Sequence, residues 1–169
     1  MAWRMIKAVL ILPGTAVVIV PGIIYLLTAG TGFAGWVSPP DQWPFWAGLA
    51  VLGTGLLFAL WTATLFVAIG RGTPAPWDPP KKLVVRGPYR YVRNPMITSV
   101  LFLLAGEALV WQSWPIGWWA MVFFAANSIY FPLSEEKGLE HRFGDDYLAY
   151  KANVPRWFPR LTPWNPPLD

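Results

Sequence analysis

The chain has 169 residues, of which 55% are hydrophobic and only 13% charged, with thirteen Lys and Arg against nine Asp and Glu. That balance lies outside the usual soluble range and points to a chain that lives in a membrane. There is no cysteine and one histidine, His141, which excludes disulfides, thiolate nucleophiles and any Cys- or His-rich metal site; the net charge of +4 reads as attraction to anionic lipid head groups, with no nucleic-acid partner required.

Four stretches are long enough to cross a hydrocarbon core of roughly 30 Å, which takes about 20 helical residues. The first, residues 8–29, is uncharged and follows Arg4 and Lys7. Its length exceeds the ~7–15 apolar residues of a signal peptide, so a retained span is expected. Pro13 and Pro21 lie within it, and each removes a backbone donor, predicting a bent helix. The second span, 45–69, is also uncharged; Gly55, Ala59 and Ala63 recur at four-residue spacing and predict a face for close helix approach. A third span covers 96–114 and contains one acid, Glu107. The fourth, 115–133, contains none.

The thirteen Lys and Arg residues fall before span one, between spans two and three, and after span four; the other two connections have none. Cytoplasmic segments retain Lys and Arg, so both termini and the central loop are expected in the cytoplasm. The membrane would be a bacterial inner membrane, or that of the endoplasmic reticulum in a eukaryote. Trp36, Trp43, Trp46, Trp111, Trp114, Trp118 and Trp119 gather near the opposite ends of the spans, where amphipathic rings favour the interface. The expected architecture is therefore all-α: a transmembrane bundle of four predicted spans, forming one domain over 1–169, with a helical C-terminal cap in the cytosol.

The central loop, 70–95, is dense in proline and glycine, which forbids a continuous helix. Loops this long in compact proteins are usually functional or disordered, and the regularly placed Tyr and Val residues argue against disorder. After Leu133 the chain turns polar. Ser134 is expected to cap a short helix closed by Gly144, and Asp145 or Asp146 a second one bearing Tyr147 and Tyr150 and ending before Pro155. These form a cap over 134–161, followed by a proline-rich tail.

Two charged groups face the same compartment: the loop set ending in Arg90, Arg93 and Asn94, and the acids Glu135 and Glu136 at the inner end of span four. Together they suit a zwitterionic or cationic ligand; taken singly, the acids also read as a solvated helix start complementing the helix dipole. Tyr89 and Tyr91 either line such a site or anchor the loop at the interface. Glu107 lies about twelve residues beyond Pro95, or ~18 Å at 1.5 Å per residue, too deep for that site; polar pairing with Asn127 or Gln112 is expected for it.

The run Gly87-Pro-Tyr-Arg-Tyr-Val-Arg-Asn-Pro95, followed after span four by Glu135-Glu136, Leu139, His141, Phe143-Gly144-Asp-Asp-Tyr147, Tyr150 and Val154-Pro155-Arg156, resembles the isoprenylcysteine carboxyl methyltransferase and phospholipid methyltransferase superfamily. The resemblance covers roughly residues 70–161. It implies an integral-membrane enzyme that uses S-adenosylmethionine, held between the two motifs at the cytosolic face, and methylates a lipid-like or prenylated acceptor drawn from the bilayer. Carried onto this sequence, it implies cofactor contacts from Leu83, Val84, Gly87, Tyr89, Arg93, Asn94, Pro95, Glu135 and Glu136, and catalytic roles for Glu136 and Arg156. No metal is implied.

The acids would suit the cofactor's ammonium or ribose hydroxyls, Arg93 its carboxylate through paired N–H donors, and Arg156 an acidic acceptor. The family block usually reads Arg-His-Pro-x-Tyr-x-Gly, whereas here it is Arg93-Asn94-Pro95-Met96-Ile97-Thr98-Ser99. Asn94 cannot titrate, and Ile97 lacks the hydroxyl. Absence of an obvious base favours an acceptor that is already deprotonated, such as a carboxylate. Alternatives that remain open are N-methylation of a phospholipid amine, a sterol-type membrane reductase using a nicotinamide cofactor, and a non-catalytic protein of the same fold.

Overall fold

A computed structural model describes residues 11, 13–72 and 79–166. Arg4, Lys7, the expected start of span one at Ala8, loop residues 73–78 and the last three residues of the tail lie outside the described residues. Those described are all-helical apart from turns and loops, with no strand among them. We name the helices α1 (Thr15–Thr28), α2 (Trp43–Gly70), α3 (Pro95–Val110), α4 (Trp114–Tyr130) and α5 (Glu136–Asn153).

The helix starts follow from sequence. Pro44, Pro95 and Pro115 sit in the first turns of α2, α3 and α4, where a missing N–H costs nothing. The reversal from α3 to α4 is tight, with Gln112 in the left-handed region at φ 42° and its amide donating to Ser38 Oγ at 2.8 Å.

The bend expected from the prolines of span one takes the form of a π turn over Thr15–Ile19. There the Val20 N–H bonds to the Thr15 carbonyl, five residues back. In the same register the Ala16 carbonyl would accept from residue 21, but Pro21 has no N–H. The Trp119 indole N–H of α4 donates to that carbonyl instead, at 2.9 Å. Ala16, Val100 and Leu104 form a buried cluster with Trp119 and Phe123 around this bond, joining α1, α3 and α4.

The α2–α3 contact is the closest in the bundle. A Cβ on Gly48 would stand 2.6 Å from Val110 Cγ2 and 2.9 Å from its backbone N; one on Gly106 would stand 2.7 Å from Leu52 Cγ. The buried line of α2 is Gly48, Gly55 and Thr62. It runs at seven-residue spacing, not along the expected Gly55, Ala59, Ala63 row, because a helix in contact over many turns keeps a seam of period 3.5 rather than 4.

α2 and the helical run from Trp114 to Asn153, which is interrupted at Gly144, are long and apolar enough to cross a membrane, and only 11% and 6% of their most apolar windows are buried. A soluble core helix would be covered. Thr15–Thr28 and Pro95–Val110 are shorter apolar helices, so α3 stops before the expected end at Trp114. Trp43, Trp46, Trp114 and Trp118 all stay exposed, as interfacial rings should.

The expected break at Ser134 is absent. A π turn over Phe131–Glu135 joins α4 to α5, and the Glu136 N–H bonds to the Phe131 carbonyl. The backbone donors are therefore satisfied, and no orphan N–H remains for Ser134 to cap. The widened turn absorbs Pro132, whose ring clashes with the carbonyl four residues back in a regular helix. The expected break at Gly144 is present, with φ 52° and ψ −129°. α5 ends at Asn153, and Val154 is extended, as the residue before a proline must be.

Candidate active site

Three segments meet where α2 ends, α3 begins and α4 ends. Gly87 starts a 3₁₀ turn, Gly87–Arg90, at φ 55°; a Cβ there would lie 2.9 Å from Leu65 Cδ1 and 3.1 Å from Trp61, so only glycine lets the loop press against α2. The C-terminal segment then lies along this loop: the Arg93 N–H donates to the Pro155 carbonyl at 2.9 Å, Arg160 N–H to Tyr91 and Trp164 N–H to Arg90, both at 3.0 Å. Tyr147, Tyr150 and Val154 pack beneath it with Leu83, Val85 and Trp164. The Tyr150 hydroxyl donates to the Tyr89 carbonyl at 2.7 Å. A motif read in two blocks thus closes into one unit.

Between these segments lies a cavity of about 130 Å³ that opens outward. Typical small-molecule sites hold ~300–1,000 Å³, so a nucleoside-sized ligand would be only partly enclosed. Of the cofactor residues inferred from sequence, Leu83, Val84, Tyr89, Arg93, Asn94 and Glu135 line it. Gly87, Pro95 and Glu136 do not: the first two shape the loop and start α3, and Glu136 lies behind Arg93. Residues the sequence reading missed are Phe66 and Phe131 from two π turns, Met96 and Ile97 from the first turn of α3, and Leu139, Tyr147 and Tyr150 from α5. The pairing of Tyr147 and Tyr150 on one side of a helix was the visible signal for the last two.

Several polar atoms of this cavity have no partner in the protein. Tyr89 Oη, Arg93 Nε and Nη1, and Asn94 Nδ2 are buried and make no hydrogen bond within the protein. Buried polar groups are nearly always paired, and an orphan costs ~1–3 kcal/mol, so clustered orphan donors mark a place for an acceptor-rich ligand. Arg93, a fixed cation with Nε and Nη1 unbonded, suits a carboxylate as a charged hydrogen-bond donor. Burial pushes the Glu135 carboxyl up from its ordinary range, partly offset by the Arg142 charge. Burial also drives the Tyr89 hydroxyl up, and burial together with the Glu136 charge drives Tyr147 to about 12, so both stay protonated donors. Phe66, Tyr89, Phe131, Tyr147 and Tyr150 add aromatic rings to the lining.

Glu136 is 2% exposed. Arg156 Nε donates to its Oε1 at 2.7 Å and Arg156 Nη2 to its Oε2 at 2.9 Å. Arg93 Nη2 and Lys151 Nζ each stand 3.4 Å from it. Burial raises the Glu136 pKa, but the Arg156 hydrogen bond and the Arg93, Arg156 and Lys151 charges outweigh it, holding the group below its ordinary value. Arg156 is accordingly engaged with Glu136 and does not line the cavity, in contrast to the free guanidinium expected for orienting an acceptor. Glu107 also departs from expectation. Asn127 donates to Phe123 and Gln112 to Ser38 and Gln42, while Glu107 Oε2 is buried without a partner.

The family model for phospholipid methyltransferases matches residues 43–146, more than half of the chain. The chain belongs to the phospholipid methyltransferase family. Within the chain the match takes in α2, the loop, α3, α4 and the acids, and ends just before Tyr147. Tyr150, Lys151 and Arg156 therefore lie beyond it. No curated protein and no solved structure gives a significant match. The family and the exposed apolar helices together make it a membrane protein.

Proposed function

We propose that the protein is an integral-membrane enzyme transferring a methyl group from S-adenosylmethionine to a lipid-like acceptor that enters the cavity from the bilayer. Four spans, with both termini and the cavity on the cytoplasmic side, fit the distribution of Lys and Arg. The observation that carries the reading is the cluster of orphan donors on Tyr89, Arg93 and Asn94 beside Glu135, in a chain of a methyltransferase family. The residues fit the cofactor. Arg93 would hold its carboxylate, Glu135 its ammonium or ribose hydroxyls, and the aromatic rings its cationic sulfur. Asn94 and Tyr89 would bond to further acceptor atoms.

When bound, S-adenosylmethionine supplies an electrophilic methyl: the acceptor lone pair forms the new bond as the carbon–sulfur bond breaks, and sulfur leaves with the electron pair as a neutral thioether. The protein's part is to align and to exclude water. Apolar Leu83, Val84, Met96, Ile97 and Leu139 line the cavity and would exclude water around the reacting atoms, and no side chain need form a covalent bond. An acceptor carboxylate, as in an isoprenylcysteine, needs no base. A second reading is supported by Glu135: its raised pKa brings it nearer the range of a general base, as an amine of a phospholipid would require. A nicotinamide-dependent reduction is not favoured by any feature of the cavity.

The test is ligand stabilisation of the purified protein in detergent. S-adenosylmethionine should raise the thermal midpoint saturably, NADPH should not, and Arg93→Ala should abolish the shift while remaining folded. A shift with NADPH alone would contradict the proposal.

A further inference from the structure

We infer that Glu136 does not touch the cofactor but is a positioning residue, which aims the Arg93 guanidinium at the carboxylate of the ligand's amino-acid moiety. The inference rests on reading the cavity as an S-adenosylmethionine site. A carboxylate offers about four lone-pair positions. At Glu136, Arg156 Nε and Arg93 Nη2 approach Oε1, and Arg156 Nη2 and Lys151 Nζ approach Oε2. All four positions face cations of the protein, and the side chain is 3% exposed. Two of these are hydrogen bonds from Arg156 and two are ion-pair contacts at 3.4 Å, so a ligand ammonium could reach Glu136 only by displacing one of the protein's own cations.

The same geometry says what Glu136 is for. It approaches one terminal nitrogen of Arg93, Nη2, and the Nε and Nη1 nitrogens are left buried without a hydrogen bond in the wall of the cavity. A guanidinium is a rigid planar fork, so fixing one corner fixes the direction of the others. Arg156 clamps Glu136 with two parallel bonds, and Lys151 ties it to Glu140 at 2.6 Å. Counting charges, Arg93, Lys151 and Arg156 face Glu136 and Glu140, which leaves one positive charge without a counterpart. The unbonded nitrogens of Arg93 are where a ligand carboxylate supplies it. Arg156 and Lys151 lie beyond the family match, so this frame is built by the C-terminal cap of this chain.

The test compares two probes by calorimetry on the full chain in detergent: S-adenosylhomocysteine, which carries the amino-acid moiety, and 5′-methylthioadenosine, which lacks it. Glu136→Gln should weaken S-adenosylhomocysteine by about tenfold or more, as loss of an orienting partner does, and leave 5′-methylthioadenosine within about twofold. Arg93→Gln should do the same. The double variant should bind no worse than Arg93→Gln alone, since Glu136 acts only through Arg93. Arg156→Lys keeps the charge but loses the fork, and provides the same selective loss in smaller measure if Glu136→Gln does not fold. Additive losses in the double variant, or equal weakening of both probes, would overturn the inference while leaving the cofactor reading intact. A wild-type protein that binds neither probe would overturn the cofactor reading itself.

Discussion

At the scale of single residues, adjacent acids have opposite electrostatics. Glu136 is surrounded by cations and its pKa is lowered; Glu135 faces the cavity and its pKa is raised by burial. The consequences with pH differ in sign. For Glu136 the ionised form is favoured by the fold, so its stabilising contribution is complete above the unfolded value of ~4.3 and is lost as pH falls through the lower folded value. For Glu135 the fold disfavours ionisation, so stability declines as pH rises from ~4.3 to the raised folded value and is flat above it. Ligand binding through the Glu135 carboxylate runs the other way. Affinity for S-adenosylhomocysteine should rise with pH through the raised Glu135 pKa, and Glu135→Gln should flatten that profile in a calorimetric titration.

Tyr89 offers a complementary test. Its hydroxyl is buried without a partner, so Tyr89→Phe removes a desolvation cost of ~1–3 kcal/mol from the ligand-free protein. The ligand-free thermal midpoint should rise, and affinity for S-adenosylhomocysteine should fall. A fall in both would mean that the hydroxyl has an internal partner.

At the scale of elements, three π turns govern how the helices present their faces. The one at Phe131–Glu135 adds a residue to a turn and so rotates everything after it by roughly 100°. That rotation decides which of Glu135 and Glu136 meets the cavity. Here lies the limit of what was legible in the sequence. The two blocks, Gly87–Pro95 and Glu135–Arg156, were visible as motifs and seven of their residues line the cavity, because turn-forming glycine and proline and charged residues stand out locally. The pairing of Glu136 with Arg156 was not visible: it depends on the helical phase left by a π turn and on a chain reversal after Asn153, neither of which leaves a periodic signal. The same holds for Gly48, Gly55 and Thr62, whose seven-residue spacing is overlaid by a more conspicuous row of alanines.

The π turn in α1 yields its own prediction. Trp119→Phe keeps the ring packing but strands the Ala16 carbonyl in an apolar bundle, and should cost ~1–3 kcal/mol, read as a lowered thermal midpoint. Gly106→Leu, by contrast, inserts a side chain where a Cβ already meets Leu52 at 2.7 Å. It should separate α2 from α3 and abolish purification of a monodisperse protein.

At the scale of the molecule, apolar helices with largely uncovered windows carry a polar cap whose residues close the cavity. The apolar helices suit anchoring in a bilayer, and the cap supplies charge. The absence of cysteine makes the orientation simple to measure. Thr31→Cys should react with an impermeant thiol reagent applied to intact cells, and Lys137→Cys only after permeabilisation; the reverse pattern would invert the topology.

The central claim is that this cavity directs a methyl group from S-adenosylmethionine into a membrane lipid. Purified protein should be incubated with methyl-labelled S-adenosylmethionine and a total lipid extract, and the lipid fraction analysed by mass. Wild-type protein should yield a lipid heavier by one methyl, and Arg93→Ala none. A label released by alkali would identify an ester, and one that resists it an N-methyl amine. No label in lipid with wild-type protein that binds the cofactor would contradict the account.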